Sequence, residues 1–74
     1  MFPMDKETAL KLLGKNIQAL RKQKGMTQVQ LAHAIGKDQQ SIQRVEGGDF
    51  NPTYYYLLEI AEGLGVGIEE LVRV

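Results

Sequence analysis

The chain is predicted to be all-α, a single bundle of short helices, on three observations. Apolar residues recur at three- and four-residue steps along most of its length, capping residues punctuate those stretches, and no segment shows the alternation of a half-buried strand. Its 74 residues make one small domain with a modest core, so a subunit partner or bound ligand contributes materially to stability in such a chain.

The first helix is expected to begin at Asp5, an N-cap, and to carry Leu10, Leu13, Ile17 and Leu20 as one apolar stripe. It is expected to end at Lys24, with Gly25 in the left-handed cap position and Lys22 and Lys24 complementing the negative end of the helix dipole. Gly14 is a poor helix former inside this stretch, so the segment before it reads as a frayed extension. The organisation expected is therefore an N-terminal extension and helix cap at 1–8 and a folded domain at 9–74.

Thr27-Gln28-Val29-Gln30 has the capping-box form, in which hydroxyl and carboxamide satisfy each other's free backbone donors, and starts a second helix with Leu31, Ala32 and Ile35 inside. Asp38 caps a third helix that reaches Glu46 and stops at Gly47-Gly48, with Ile42 and Val45 inside. Two helices packed at a sharp angle through a brief turn need a small residue at closest approach, a Gly in the turn and a branched apolar residue facing back. Ala32, Gly36 and Ile42 supply them in that order. Thr53 caps a fourth helix bearing Leu57, Leu58, Ile60, Ala61 and Leu64, which Gly65 ends, and Ile68, Leu71 and Val72 form a last turn or two that closes the core. The first three helices leave Gln39, Gln40, Gln43 and Arg44 on the outer side of the third, and these side chains suit the edges of bases in a DNA groove.

Composition removes several classes of function. There is no Cys, hence no disulfide framework and no thiolate metal site, and one His (His33, on the outer side of the second helix) cannot build a metal site alone. No metal or other cofactor is expected. No nucleophile–base pair, paired acidic site or phosphate-cradling Gly motif marks an enzyme; Gly63, Gly65 and Gly67 read as caps around a helix end. The start, Met1-Phe2-Pro3-Met4 followed by Asp5, Lys6 and Glu7, is not a signal peptide, and the apolar runs are too short for a bilayer, so a cytoplasmic protein without membrane contact is expected. Net charge is zero but unevenly spread. Residues 1–26 hold six Lys and Arg against two acids, and residues 47–74 hold Arg73 against five acids.

Taken together, Leu20-Arg21-Lys22-Gln23-Lys24-Gly25-Met26-Thr27-Gln28, Leu31-Ala32, Gln39-Gln40-Ser41-Ile42, Val45-Glu46, Asn51-Pro52-Thr53 and Leu64-Gly65-Val66 stand in a family's order and spacing. Residues 13 to 71 resemble the lambdoid phage repressor and Cro family, the Xre-type helix-turn-helix regulators. The resemblance implies a five-helix lambda-repressor-like bundle, with a helix-turn-helix DNA-binding domain at 9–74. It assigns Gln28 to a DNA phosphate at a helix N-terminus, where unpaired N–H groups favour an anion. It assigns Gln39, Gln40, Gln43 and Arg44 to bases. Beside them, Lys22, Thr27, Lys37, Ser41 and Asn51 are expected, from their side-chain chemistry, to meet phosphates. It further implies a structural ion pair between Arg21 and Glu46.

The chain departs from the family in the loop Gly47-Gly48-Asp49-Phe50-Asn51, which lacks any basic residue, so a shallower salt dependence and modest monomer affinity are expected. Three consecutive tyrosines also stand out: Tyr54 is expected to be partly buried, while Tyr55 or Tyr56 stacks at a subunit interface, bonds a phosphate or stays exposed without a role. The expected function is sequence-specific transcriptional regulation, as a repressor, on double-stranded DNA with a near-palindromic operator. A homodimer is implied, at least on DNA, with its contact around 66–74. The alternative is an antitoxin-like protein-interaction module with secondary DNA binding.

Overall fold

Capping side chains set where the helices begin. The computed structural model describes residues 4–73, and its helices are α1 (Lys6–Gln23), α2 (Gln28–Ala34), α3 (Gln39–Gly47), α4 (Tyr54–Leu64) and α5 (Ile68–Leu71). Asp5, Thr27, Asp38 and Thr53 each accept a bond from the backbone N–H three residues on, at 2.7, 3.0, 2.8 and 3.0 Å. The Thr27 cap is reciprocal, because the Gln30 carboxamide oxygen accepts from the Thr27 N–H at 2.8 Å. Each such cap stabilises its helix by about 1 kcal/mol.

The turn between α2 and α3 is made by Gly36 at φ +70°, a region where a side chain is strained. Past it, the Lys37 N–H returns to the Ala32 carbonyl at 2.8 Å, closing the end of α2. Ala32 and Ile42 are buried on either side, as the small and branched residues of the sharp crossing. Around them Ile17, Leu31, Val45, Leu57, Ile60, Ala61, Leu64 and Leu71 make one core to which all five helices contribute.

Helix α1 starts at Lys6 behind the Asp5 cap, as expected, and differs from expectation in running continuously through Gly14, so the segment before that glycine is regular helix and not a frayed extension. Residues 1–3 and Val74 lie outside the described residues. Gly14 is buried because α1 crosses the end of α3 there: an added Cβ would stand 2.4 Å from the Glu46 carbonyl oxygen and 2.5 Å from that of Val45. The glycine that weakens the helix locally is the residue that lets two backbones touch. Gly63 is also closely packed, though against side chains and not backbone. It lies inside α4, where a Cβ would meet Ile35 Cγ2 at 2.6 Å, whereas Gly65 and Gly67 are caps as expected.

At the far end, Asn16 of α1 donates from Nδ2 to the carbonyl oxygens of Glu70 and Leu71, at 2.8 and 2.6 Å, fastening the four-residue α5 to the bundle. Leu71 is buried, but Val72 is 47% exposed and does not close the core. Val72 is the C-cap of α5, about 100° around the axis from Leu71, and that direction faces solvent.

The carbonyls of α3 that meet Gly14 belong to the segment holding Glu46, and Glu46 is itself bound to α1. Arg21 Nε donates to Glu46 Oε2 at 2.6 Å and Arg21 Nη2 to Glu46 Oε1 at 3.0 Å, both residues being 6% exposed. The third arm of the guanidinium, Nη1, donates to the Met26 carbonyl at 2.7 Å and pins the α1–α2 turn.

These contacts predict three stability changes. An exposed helical Gly→Ala gains about 1 kcal/mol, but Gly14→Ala should lose about 1–3 kcal/mol overall, because the new methyl meets backbone that must move; a stabilised variant in urea unfolding would refute the crossing. Arg21→Ala or Glu46→Ala should each cost about 3–5 kcal/mol, and joint replacement by apolar residues much less than the sum. Strictly additive losses would mean that the two charges do not depend on each other. For acid stability, the Ser41 N–H bonded to the Asp38 carboxylate holds its pKa below the ordinary value of 3.8, so the stabilisation is present above that value and fades as pH falls through the lowered one. Asp38→Asn keeps a capping side chain but should flatten this part of the acid limb in thermal melts against pH.

Candidate nucleic-acid interface

An α-helix turns about 100° per residue, so Gln39, Gln43, Gln40 and Arg44 fall within an arc of about 140° on α3, and Ile42, Val45 and Glu46 fall on the other side. The structure follows this division: the first four are exposed and the last three buried. A surface that carries three carboxamides and one guanidinium, and no apolar side chain, offers paired donors and acceptors in a row.

One of those side chains is tied to the bundle interior by a relay. Glu46 Oε1, already bonded to Arg21, also accepts from Gln28 Nε2 at 3.0 Å, and Gln28 Oε1 accepts from Gln39 Nε2 at 3.2 Å. The order runs from a buried cation through a buried carboxylate and a half-buried amide to the exposed tip of α3. Gln28 therefore bridges α2 and α3 with its side chain, a role that its expected phosphate contact had not included. Its position as the first residue of α2 leaves the backbone N–H groups there facing outward.

The other expected phosphate contacts are differently placed. Lys22 and Thr27 are exposed on either side of the α1–α2 turn, and Asn51 is exposed in the loop before α4. Ser41 is half-buried on α3. Lys37 turns toward α4: its ammonium is 3.5 Å from Glu59 Oε1 and 5.4 Å above the Tyr56 ring.

Tyr56, not Tyr54, is the partly buried member of the tyrosine run; Tyr54 and Tyr55 are 66% and 70% exposed. Periodicity places Tyr54 on the inward side of α4, but it stands in the first turn, where no other helix lies against it. Tyr56 meets Phe50 edge to face, with ring centroids 6.1 Å apart, and lies beneath Lys37. Burial pushes its phenol pKa up, opposed by the facing Ser41 and Lys37, although no well-formed hydrogen bond closes on the phenol oxygen.

Beside Gln43, an open groove of about 370 Å³ runs between α1 and α3, lined by Lys11, Lys15, Gln18, Gln28, Gln43 and Gly47, with Glu46 at its base. Lys11, Lys15 and Gln18 were not singled out from the sequence. Their four- and three-residue spacing puts them on one face of α1, but only the crossing at Gly14 brings that face beside α3. Among the described residues no group of His, Asp and Glu could hold a metal ion, and no helix is long and apolar enough to cross a membrane.

Comparison with known proteins agrees with this architecture. A crystal structure of the restriction-modification controller protein C.AhdI from Aeromonas hydrophila superposes with a TM-score of 0.88 at 31% identity, over 92% of this chain and 99% of that one. The hypothetical transcription factor NHTF from Neisseria gives a TM-score of 0.83 at 26% identity, over 97% and 83% of the two chains. In sequence, the uncharacterized HTH-type transcriptional regulator y4dJ of Sinorhizobium fredii is 44% identical over 62 residues, which is 84% of this chain and 80% of the relative. Residues 17–71 match the helix-turn-helix family, and with that match over most of its length the chain belongs to this family.

Proposed function

We propose that this protein is a sequence-specific DNA-binding transcriptional regulator that acts as a repressor by occupying its operator, with the helix from Gln39 to Glu46 in the major groove. The observation that carries the proposal is the outer face of α3: Gln39, Gln40, Gln43 and Arg44 stand exposed together while the opposite face is held in the core. Gln offers both a donor and an acceptor to adenine N7 and N6, and Arg offers two donors to guanine O6 and N7, each good pair discriminating by about 1–3 kcal/mol. Thr27, Gln28 and Lys22 around the α1–α2 turn, with Ser41, Asn51 and Lys37, would meet the phosphates that fix the register. Of these, Lys37 must first leave Glu59, an exchange that a partly exposed pair permits at little cost. The relatives described as transcriptional regulators and controller proteins favour this reading over an interaction module.

One such domain covers too few base pairs to select a genomic site, so the proposal includes a homodimer on a near-palindromic operator with half-sites about 34 Å apart or a multiple of it. The self-association surface is assigned to the segment from Val66 onward, which carries the exposed Val72 and the half-buried Val66 and Ile68. The acids Glu69 and Glu70 there are unsuited to contact with DNA.

Selection from random duplex DNA tests the proposal directly. A short inverted repeat should be enriched, and Gln40→Ala or Arg44→Ala should relax preference at one or two positions of each half, at about 1–3 kcal/mol per lost contact, with thermal melting unchanged. Enrichment identical to the native protein's in both variants would exclude this face from base reading.

A further inference from the structure

The proposed DNA complex lacks an obvious source of backbone charge, because the end of α3 and the loop after it, Gly47-Gly48-Asp49-Phe50-Asn51, have no Lys or Arg. The structure supplies one from another helix. Helix α1 lies directly against this loop: a Cβ on Gly48 would stand 2.7 Å from Lys11 Cγ and 2.9 Å from Lys11 Cα. Lys11 thus abuts the loop and, with Lys15 and Gln18, forms the α1 wall of the groove whose other wall includes Gln43.

The groove's charge balance favours an anion. Its one carboxylate, Glu46, is engaged on both oxygens by Arg21 and Gln28, so its charge is matched inside the bundle. Lys11 touches Glu7 at 3.7 Å, but both side chains are largely exposed, and such a pair exchanges readily for another anion. No side-chain hydrogen bond or ion pair of Lys15 is present among the described residues. One helical turn separates the two lysines, about 6 Å along the axis, a step that suits neighbouring phosphates of one strand. Gln43 belongs both to the groove wall and to the exposed face of α3, so a strand entering the groove would run along the edge of the bases that face addresses.

We infer that the α1/α3 groove is a phosphodiester-binding strip, in which Lys15 and Lys11 neutralise successive phosphates of one DNA strand and Gln18 donates a neutral hydrogen bond. It rests on the DNA-binding reading above and replaces the basic residues missing from the loop. The test is titration of the native protein, Lys11→Gln, Lys15→Gln, the double variant, Lys15→Arg and the charge-matched control Lys6→Gln. Binding is followed by fluorescence anisotropy on the selected operator and on an unrelated duplex across a salt series. Each groove variant should reduce the slope of log K against log salt by about 0.9, and the double variant by about 1.8. Affinity for both duplexes should fall alike, base preference and thermal melting should stay unchanged, Lys15→Arg should keep the native slope, and Lys6→Gln should alter it little. A native slope in the double variant, or an equal drop in Lys6→Gln, would overturn the strip while operator binding itself stands. Failure of the native protein to bind any duplex would overturn the DNA-binding reading together with the strip.

Discussion

The buried pair of Arg21 and Glu46 is the constraint on which the rest of this small bundle depends. Taking two charges out of water is expensive, and their attraction offsets the cost only where geometry is good and the remaining hydrogen-bonding capacity is used. Both conditions hold here. The guanidinium meets the carboxylate through two parallel bonds, its third arm takes the Met26 carbonyl, and the carboxylate also accepts from Gln28. A well-packed apolar pair of similar volume would stabilise the fold comparably. What an apolar pair cannot do is specify direction: the planar fork fixes the end of α3 relative to the end of α1, and through Gln28 it reaches Gln39 at the exposed start of α3. An interior electrostatic contact thereby becomes a restraint on a surface side chain, and ordering that side chain beforehand lowers the entropy lost when it binds.

Gly14 makes the same junction possible from the backbone side. Without a side chain between them, α1 lies against the carbonyls of Val45 and Glu46, close enough for Arg21, seven residues later on α1, to reach the carboxylate. Any larger residue at 14 would separate the helices and lengthen both bonds of the ion pair. Local helix propensity and tertiary packing therefore pull in opposite directions at this residue, and packing wins because a backbone clash costs more than the roughly 1 kcal/mol of propensity at stake.

That conflict shows what could be read from the chain and what could not. Caps were legible because Asp5, Thr27, Asp38 and Thr53 act on backbone only three residues away. The Arg21–Glu46 pair came through resemblance, since nothing local links residues 25 apart. The exposed face of α3 followed from its period, whereas the contacts proposed for its side chains await DNA. Misplaced expectations concern residues whose surroundings come from distant elements. The segment before Gly14 was read as frayed, Tyr54 as partly buried and Val72 as core, because periodicity gives a direction around a helix axis without saying whether another helix lies there. Lys11 and Lys15 went unassigned for the same reason, their neighbour across the groove being more than twenty residues away.

Zero net charge looks unfavourable for a partner of polyanionic DNA, yet the sum hides a strong separation. Basic residues concentrate on α1 and the turn after it, while Glu59, Glu62, Glu69 and Glu70 sit on α4 and α5, which line no part of the groove. Such a molecule has little net attraction for a distant polyanion but a large preference for one orientation within a Debye length of about 8–10 Å. Misoriented encounters meet the acidic helices and are repelled; correctly turned ones meet α1 and the exposed face of α3. Weak attraction at long range also limits binding to arbitrary sequence, which is mostly electrostatic. Discrimination then falls more heavily on the side chains of α3, and their geometry is what the buried ion pair and the close approach at Gly14 hold in place.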